Sequence, residues 1–138
     1  MQISIEWVGD LRNVASDDSG HSVIVESKKE NVPAGFSATQ LLLIAAASCM
    51  NNHLVEIFKK KRLPIKKLRV LAEGVRSEEH PRKFTSIVLA FEIQGNVEQK
   101  IFDDMMTMVK DKYCSVLNSL DPAITVKLEG RIVAVWRK

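Results

Sequence analysis

Cysteine is scarce in this sequence, two residues in 138, too few for a disulfide-stapled scaffold. In a reducing compartment such a pair is more often buried, catalytic or metal-binding than a permanent bridge. Metal is not expected here, because apart from His53 neither cysteine has another Cys or His at the close spacing of a zinc site. No uninterrupted apolar run approaches the roughly 18 residues of a membrane span. The opening MQISIEWV also lacks the charged and apolar regions of a signal peptide. A soluble, cytoplasmic protein without a membrane partner is the expectation. Aromatic residues are few, 6% of the chain, and none is interleaved with the basic cluster KKKRLPIKK, Lys59 to Lys67. That cluster is therefore not built to stack bases, and no nucleic-acid partner is expected. It reads instead as the cationic end of a helix, where positive charge meets the negative end of the dipole before Pro64 stops the helix. The net charge of +3 follows largely from it. No internal repeat or low-complexity segment is present.

What is there is a chain with 46% hydrophobic residues, enough for one domain over residues 1–138. Periodicity predicts three short strands first: ISIEWV from Ile3, a second around Arg12 to Ala15, and HSVIVE from His21, with DDSG at 17–20 as a turn. They form a small antiparallel meander. Ser37 and Gln40 make a capping box that opens a helix running to about Lys61. Two longer strands follow, KKLRVLAEGV and FTSIVLAFEIQG, joined by RSEEHPRK. Ile87, Leu89, Phe91 and Ile93 mark the buried face of the second. Asn96 with Gln99 repeats the capping logic for a second helix, whose Phe102, Met105, Met106, Val109, Tyr113, Val116, Leu117 and Leu120 share one broad face before Asp121-Pro122 ends it. A last strand, AITVKLEGRIVAVW, completes the order βββ-α-ββ-α-β. The order is read as containing no βαβ alternation, which predicts an α+β fold with antiparallel sheets around two long helices.

The first helix carries the central question. From Leu41 to Met50 its residues are apolar except Ser48, and Cys49, Asn51, Asn52 and His53 stand where that run ends. A helix apolar on every side must be covered on every side. The second helix carries Cys114 in DKYCSVLNSL.

These features together resemble the OsmC/Ohr family of thiol peroxidases. The element order is similar over essentially the whole chain, the Leu- and Ala-rich approach to Cys49 matches the family's first cysteine, and KYCSV resembles its second-cysteine motif, usually Cys-Pro-Val. The connection EEHPRKFTSI, Glu78 to Ile87, resembles a segment of the OsmC-like branch that carries Lys-Tyr-Cys-Ser-Val. The resemblance implies an intertwined homodimer with the long helices buried centrally and the cysteines near the dimer interface. It would supply a second chain to cover the apolar helix. It also implies that Cys49 attacks the O–O bond of a small-molecule hydroperoxide to give a sulfenic acid, that Cys114 condenses with it to a disulfide, and that an external dithiol reduces the bridge. No cofactor is implied.

A thiol reacts as thiolate and needs a cation or hydrogen-bond donors beside it. His53, one turn beyond Cys49, is the nearest candidate, and Asn52 is a candidate donor. The resemblance also exposes a departure. The well-characterised peroxidases of the family pair an arginine with a glutamate about ten residues before the first cysteine. Here Thr39 stands there with Gln40 beside it, and the segment after the third strand offers Lys28 and Lys29 but no arginine. Lys28 supplies a point charge without the bidentate fork of arginine. Arg82, in HPRKF, is the alternative guanidinium. The sequence reading is thus a peroxidase for organic hydroperoxides in oxidative-stress defence. Its competitor is a non-enzymatic OsmC-like dimer that binds a small apolar ligand, favoured by the missing glutamate and arginine.

Overall fold

Alternating side chains and two tight turns fold the first 26 residues into a three-stranded meander. The structure, a computed structural model, describes residues 1–27 and 32–136. β1 (Ile3–Gly9), β2 (Arg12–Asp17) and β3 (Ser22–Glu26) pair antiparallel in the order β1-β2-β3. Gly9 and Asp10 both take positive φ at the first turn, the conformation that lets so short a connection reverse the chain. At the second, the Asp17 carboxylate accepts from the backbone N–H groups of Ser19 and His21, both at 2.9 Å. The end of β3 is tied to the segment that follows. Glu26, 1% exposed, pairs with Arg12 at 3.1 Å and accepts from Ala34 N–H, while its own N–H donates to the Phe36 carbonyl. A buried carboxylate needs both partners.

The expected capping box forms. Ser37 N–H donates to Gln40 Oε1 at 2.9 Å, Gln40 N–H donates to Ser37 Oγ at 3.2 Å, and α1 runs Ala38–Lys60. By length and composition α1 is long and apolar enough to cross a membrane. Its buried positions are Ala46, Ala47, Met50, Leu54 and Phe58, and its apolar Ile44 and Ala45 stay exposed.

The chain divides into two compact units, residues 1–42 and 43–138. In the second, β4 (Ile65–Arg76) and β5 (Phe84–Gly95) form a long antiparallel hairpin. β6 (Thr125–Ile132) then lies parallel to β5 on its other side, giving the order β4-β5-β6. This corrects the antiparallel expectation: the sheet is mixed, and β5, α2 and β6 form a single βαβ crossover. The connection through α2 (Gln99–Met108) returns the chain to the start of β5, which only a parallel partner can use. The core is as the alternation of β5 required, with Ile87, Leu89, Phe91 and Ile93 all at 1% exposure or less. Over it lie Phe102, Met105 and Met106 of α2, and the Phe58 ring meets that of Phe102 at 6.1 Å between centroids. Each such side chain stabilises by about 1.5–3 kcal/mol through burial.

The second helix differs from expectation at both ends. Asn96 and Gln99 make no capping box: the N-cap is Glu98, without a side-chain cap, and Gln99 Nε2 donates to Asp103 and to the Gly130 carbonyl. After Met108 the helix widens into one π-helical turn, Val109–Tyr113, stops at Cys114, and restarts as the short α3, Ser115–Asn118.

Candidate functional site

The π-helical turn decides which residue reaches the core. In a continuous α-helix the row through Phe102, Met105, Met106 and Val109 would continue at Tyr113. The extra residue in the turn, closed by Cys114 N–H donating to the Val109 carbonyl at 2.8 Å, advances the row by one position. Cys114 is therefore fully buried and Tyr113 is 52% exposed, against the expectation that Tyr113 lies on the buried face. Cys114 takes an extended conformation, φ −74° and ψ 97°, and caps α3, its Sγ accepting from Leu117 N–H at 3.4 Å. Asn118 fixes this geometry: its Nδ2 donates to the carbonyls of both Lys110 and Cys114, each at 2.8 Å.

This places Cys114 against Cys49, half-buried in the middle of α1 between the buried Ala46 and Met50. Both cysteines are free thiols. Burial pushes the Cys49 thiol up. Donors from the start of α3 and from Cys114 outweigh it: the Val116 N–H, the Cys114 thiol, and the hydroxyl and N–H of Ser115 hold Cys49 below the ordinary thiol value. Cys114 moves the other way. Burial raises it, the Leu117 N–H opposes, and the neighbouring Cys49 thiolate adds to the rise, so that it reaches about 11. The two sulfurs are thus shifted in opposite directions, Cys49 downward and Cys114 upward.

The other residues singled out in the sequence fall elsewhere. His53 is not among the groups that act most on Cys49; its ring packs on that of Tyr113 with centroids 6.2 Å apart, and Nδ1 lies 3.9 Å from Glu56. Asn52 is exposed and is not among the groups that act most on the thiol, whereas Asn51 has a buried Oδ1 without a hydrogen-bond partner among the described residues. Arg82 sits at φ 52° in the β4–β5 connection, its N–H donating to the Glu79 carbonyl and its own carbonyl accepting from Arg76 Nε at 2.7 Å. Gln40 and Thr39 belong to the N-terminal cap of α1, Thr39 Oγ1 lying 3.1 Å from Ser37 Oγ. Lys28 lies outside the described residues. Ser115, Val116 and Asn118 were missed by sequence reasoning. The one signal that could have found them is the polar Ser115 directly after Cys114, in a segment otherwise read as continuous helix.

A hollow of about 710 Å³ lies on the face of the sheet away from α2, lined by Arg69, Leu71, Ala90, Glu92, Glu129 and Arg131 among others. Hydrogen bonds from Arg131 and Arg69 hold the Glu92 carboxyl below its ordinary range there. Neither cysteine lines it.

Two thiols on two elements, split in acidity and set beside each other, narrow the comparison with known proteins. The profile described as OsmC-like protein matches residues 28–129. The chain belongs to the OsmC-like family. Protein YhfA of Escherichia coli K12 is 29% identical over 136 residues, covering 97% of this chain and 99% of YhfA. An OsmC-like protein from Mycoplasma pneumoniae superposes with a TM-score of 0.86 at 20% identity, over 96% of each chain. An organic hydroperoxide resistance protein from Elizabethkingia anophelis superposes with a TM-score of 0.76 at 17% identity, over 96% of this chain and 97% of its own. At these identities the two structures share the fold. Within this OsmC-like fold, the π-helical turn and α3 are the elements that bring the second cysteine to the first.

Proposed function

We propose that this OsmC-like chain is a thiol peroxidase for organic hydroperoxides, with Cys49 the attacking sulfur and Cys114 the resolving one. The observation that carries the reading is that the two free thiols act on each other and shift in opposite directions, Cys49 downward and Cys114 up to about 11. The Cys49 thiolate attacks the distal peroxide oxygen. The O–O bond breaks, Cys49 becomes a sulfenic acid, and the alkoxide leaves as alcohol after taking a proton. Cys114 then attacks the Cys49 sulfur, its proton and the sulfenic hydroxyl leave as water, and the S–S bond forms. An external dithiol returns both thiols with two electrons. A raised Cys114 suits the second step, since it keeps the thiol as donor until the sulfenic acid exists.

The working unit in this reading is a cytoplasmic homodimer. Exposed apolar residues support it: Ile44 on α1, and Ile3, Ile5, Trp7 and Val8 on β1. Sedimentation at micromolar concentration should show a dimer; a well-folded monomer would remove this part of the reading. Cumene hydroperoxide at one equivalent should consume both thiols of each chain, and faster than hydrogen peroxide does. Retention of both thiols under excess hydroperoxide would overturn the peroxidase. Thr39 and Gln40, standing where the family's peroxidases hold a glutamate, favour the second reading: a dimer that binds a small apolar ligand without turnover. That reading expects the same dimer and inert thiols.

A further inference from the structure

We propose that the face of the β4-β5-β6 sheet away from α2 binds an aliphatic monocarboxylate, with its carboxylate on Arg131 at one end of the hollow there and its chain over Leu71 at the other. The site is separate from the thiols, neither of which lines this hollow.

Strand register builds the charged end. Arg69 of β4 and Arg131 of β6 are the two neighbours of Glu92 across β5, so the three side chains stand in one row on one face. Both oxygens of the Glu92 carboxylate, whose side chain is only 16% exposed, are engaged: Oε2 accepts from Arg69 Nε at 3.0 Å and Oε1 accepts from Arg131 Nη2. Glu92 thus holds the two guanidiniums in place, and the row keeps one positive charge in excess. Lys67, two residues before Arg69 on the same face of β4, adds a second. Trp136 walls this end, its ring centroid 4.8 Å from Arg69 Cζ and 5.5 Å from Lys67 Nζ. The segment before Trp136 is pinned to the sheet, where Gln94 Nε2 donates to the Ala134 carbonyl at 3.2 Å and Val133 N–H donates to the Ile93 carbonyl at 2.8 Å. Arg131 is the cation best placed for a ligand. It gives Glu92 one hydrogen bond and its side chain is 71% exposed, while a guanidinium carries five N–H donors in a planar fork that matches a carboxylate.

Along the same face the next row is Leu71, Ala90 and Glu129, and the one after it Glu73, Val88 and Lys127. Leu71 is 61% exposed, and with Ala90 and Val88 it makes an apolar strip that starts where the cations end. Glu129 is paired with Lys127 at 2.9 Å. A dianion would bring its second charge toward Glu129 and Glu73, and a neutral molecule would leave the cations unmatched. One carboxylate on an apolar chain fits both ends. The hollow, about 710 Å³, lies within the range of about 300–1,000 Å³ usual for small-molecule sites.

The test is calorimetric titration of the full-length protein with octanoate, with acetate and octanol as probes that carry one feature each, and amide NMR shifts to locate the binding. Octanoate should bind at least about tenfold more tightly than either control, as expected when a charge-assisted hydrogen bond and apolar contact act together. The shifts should centre on Arg69, Leu71, Ala90 and Arg131. Arg131→Ala should weaken octanoate by about tenfold. Leu71→Ser should weaken octanoate and leave acetate unchanged. Both side chains are largely exposed, so both variants should unfold at about the parent temperature. Absence of octanoate binding, or an Arg131→Ala variant that binds it as the parent does, would overturn the site. Equal binding of octanol would reduce the face to an apolar patch, and equal binding of acetate to a charged one; either result overturns the proposal. Shifts centred around Cys49 and Cys114 would move the ligand to the thiols, and a change of sedimentation in either variant would make this face a contact between copies; both would overturn it too. No step needs peroxide, so a protein inert to hydroperoxides would defeat the peroxidase reading while this site is still decided by the titration.

Discussion

Removing the Cys114 sulfur separates the first chemical step from the second. In Cys114→Ala the Cys49 thiolate loses one donor. A hydrogen bond to a charged group is worth about 1.5–3 kcal/mol, and a thiol, being a weak donor, belongs at the lower end. That corresponds to a rise of about one unit in the Cys49 pKa. The rate of the first step falls by less than the tenfold drop in thiolate, because a more basic sulfur is a better nucleophile; with a Brønsted slope of about 0.4–0.5, roughly a threefold loss remains. Stability falls too, since α3 loses its cap, worth about 0.5–2 kcal/mol, with sulfur at the lower end. The second step is abolished. After one equivalent of cumene hydroperoxide, mass spectrometry of the parent should show loss of two hydrogens and an intrachain bridge on peptide mapping. The Ala variant should gain one oxygen, trapped by dimedone at Cys49. If the parent instead keeps a single added oxygen and no bridge between Cys49 and Cys114 forms, the resolving role of Cys114 is refuted even if peroxide is consumed.

Four further outcomes follow from the same structure. His53→Ala should leave the Cys49 titration nearly unchanged, since the donors on that sulfur come from α3 and Cys114; a large upward shift would return the activating role to the imidazole. Stability should fall as pH rises from 9.0 through about 11, because the folded chain keeps the Cys114 proton that the unfolded chain releases. Cys49, lowered on folding, has its full contribution above 9.0 and adds no slope there; denaturant titration of Cys114→Ala should show the flatter alkaline profile, and an unaltered profile would refute the assignment. Gly130→Val should destabilise by about 1–3 kcal/mol, measured by thermal unfolding, since a Cβ there would lie 2.4 Å from Met106 Cε and 2.9 Å from Phe102 Cε1. Glu26→Gln should cost about 1–3 kcal/mol by leaving the Arg12 guanidinium without its charge partner, and loosening of β3 in hydrogen exchange would locate the effect.

The sequence by itself determined the element order, the capping box at Ser37 and Gln40, the buried face of β5 and the family to which the chain belongs. Each of these rests on a local pattern: a two-residue alternation, a cap three residues from its partner, or a motif that can be read in place. What only the tertiary structure decided depends on one extra residue and on a non-local pairing. Apolar spacing through Val109, Tyr113 and Leu117 reads as a single helix, and no local signal announces that a π-helical turn will put Cys114 in the core and Tyr113 at the surface. Parallel pairing of β6 with β5 was equally illegible, because alternation shows which face is buried but not which way a neighbour runs. The activation of Cys49 was sought one turn along its own helix, at His53, since sequence spacing can propose partners only within one element. The groups that lower the Cys49 thiol, Val116, Cys114 and Ser115, stand on another element, which only the folded chain brings near the sulfur.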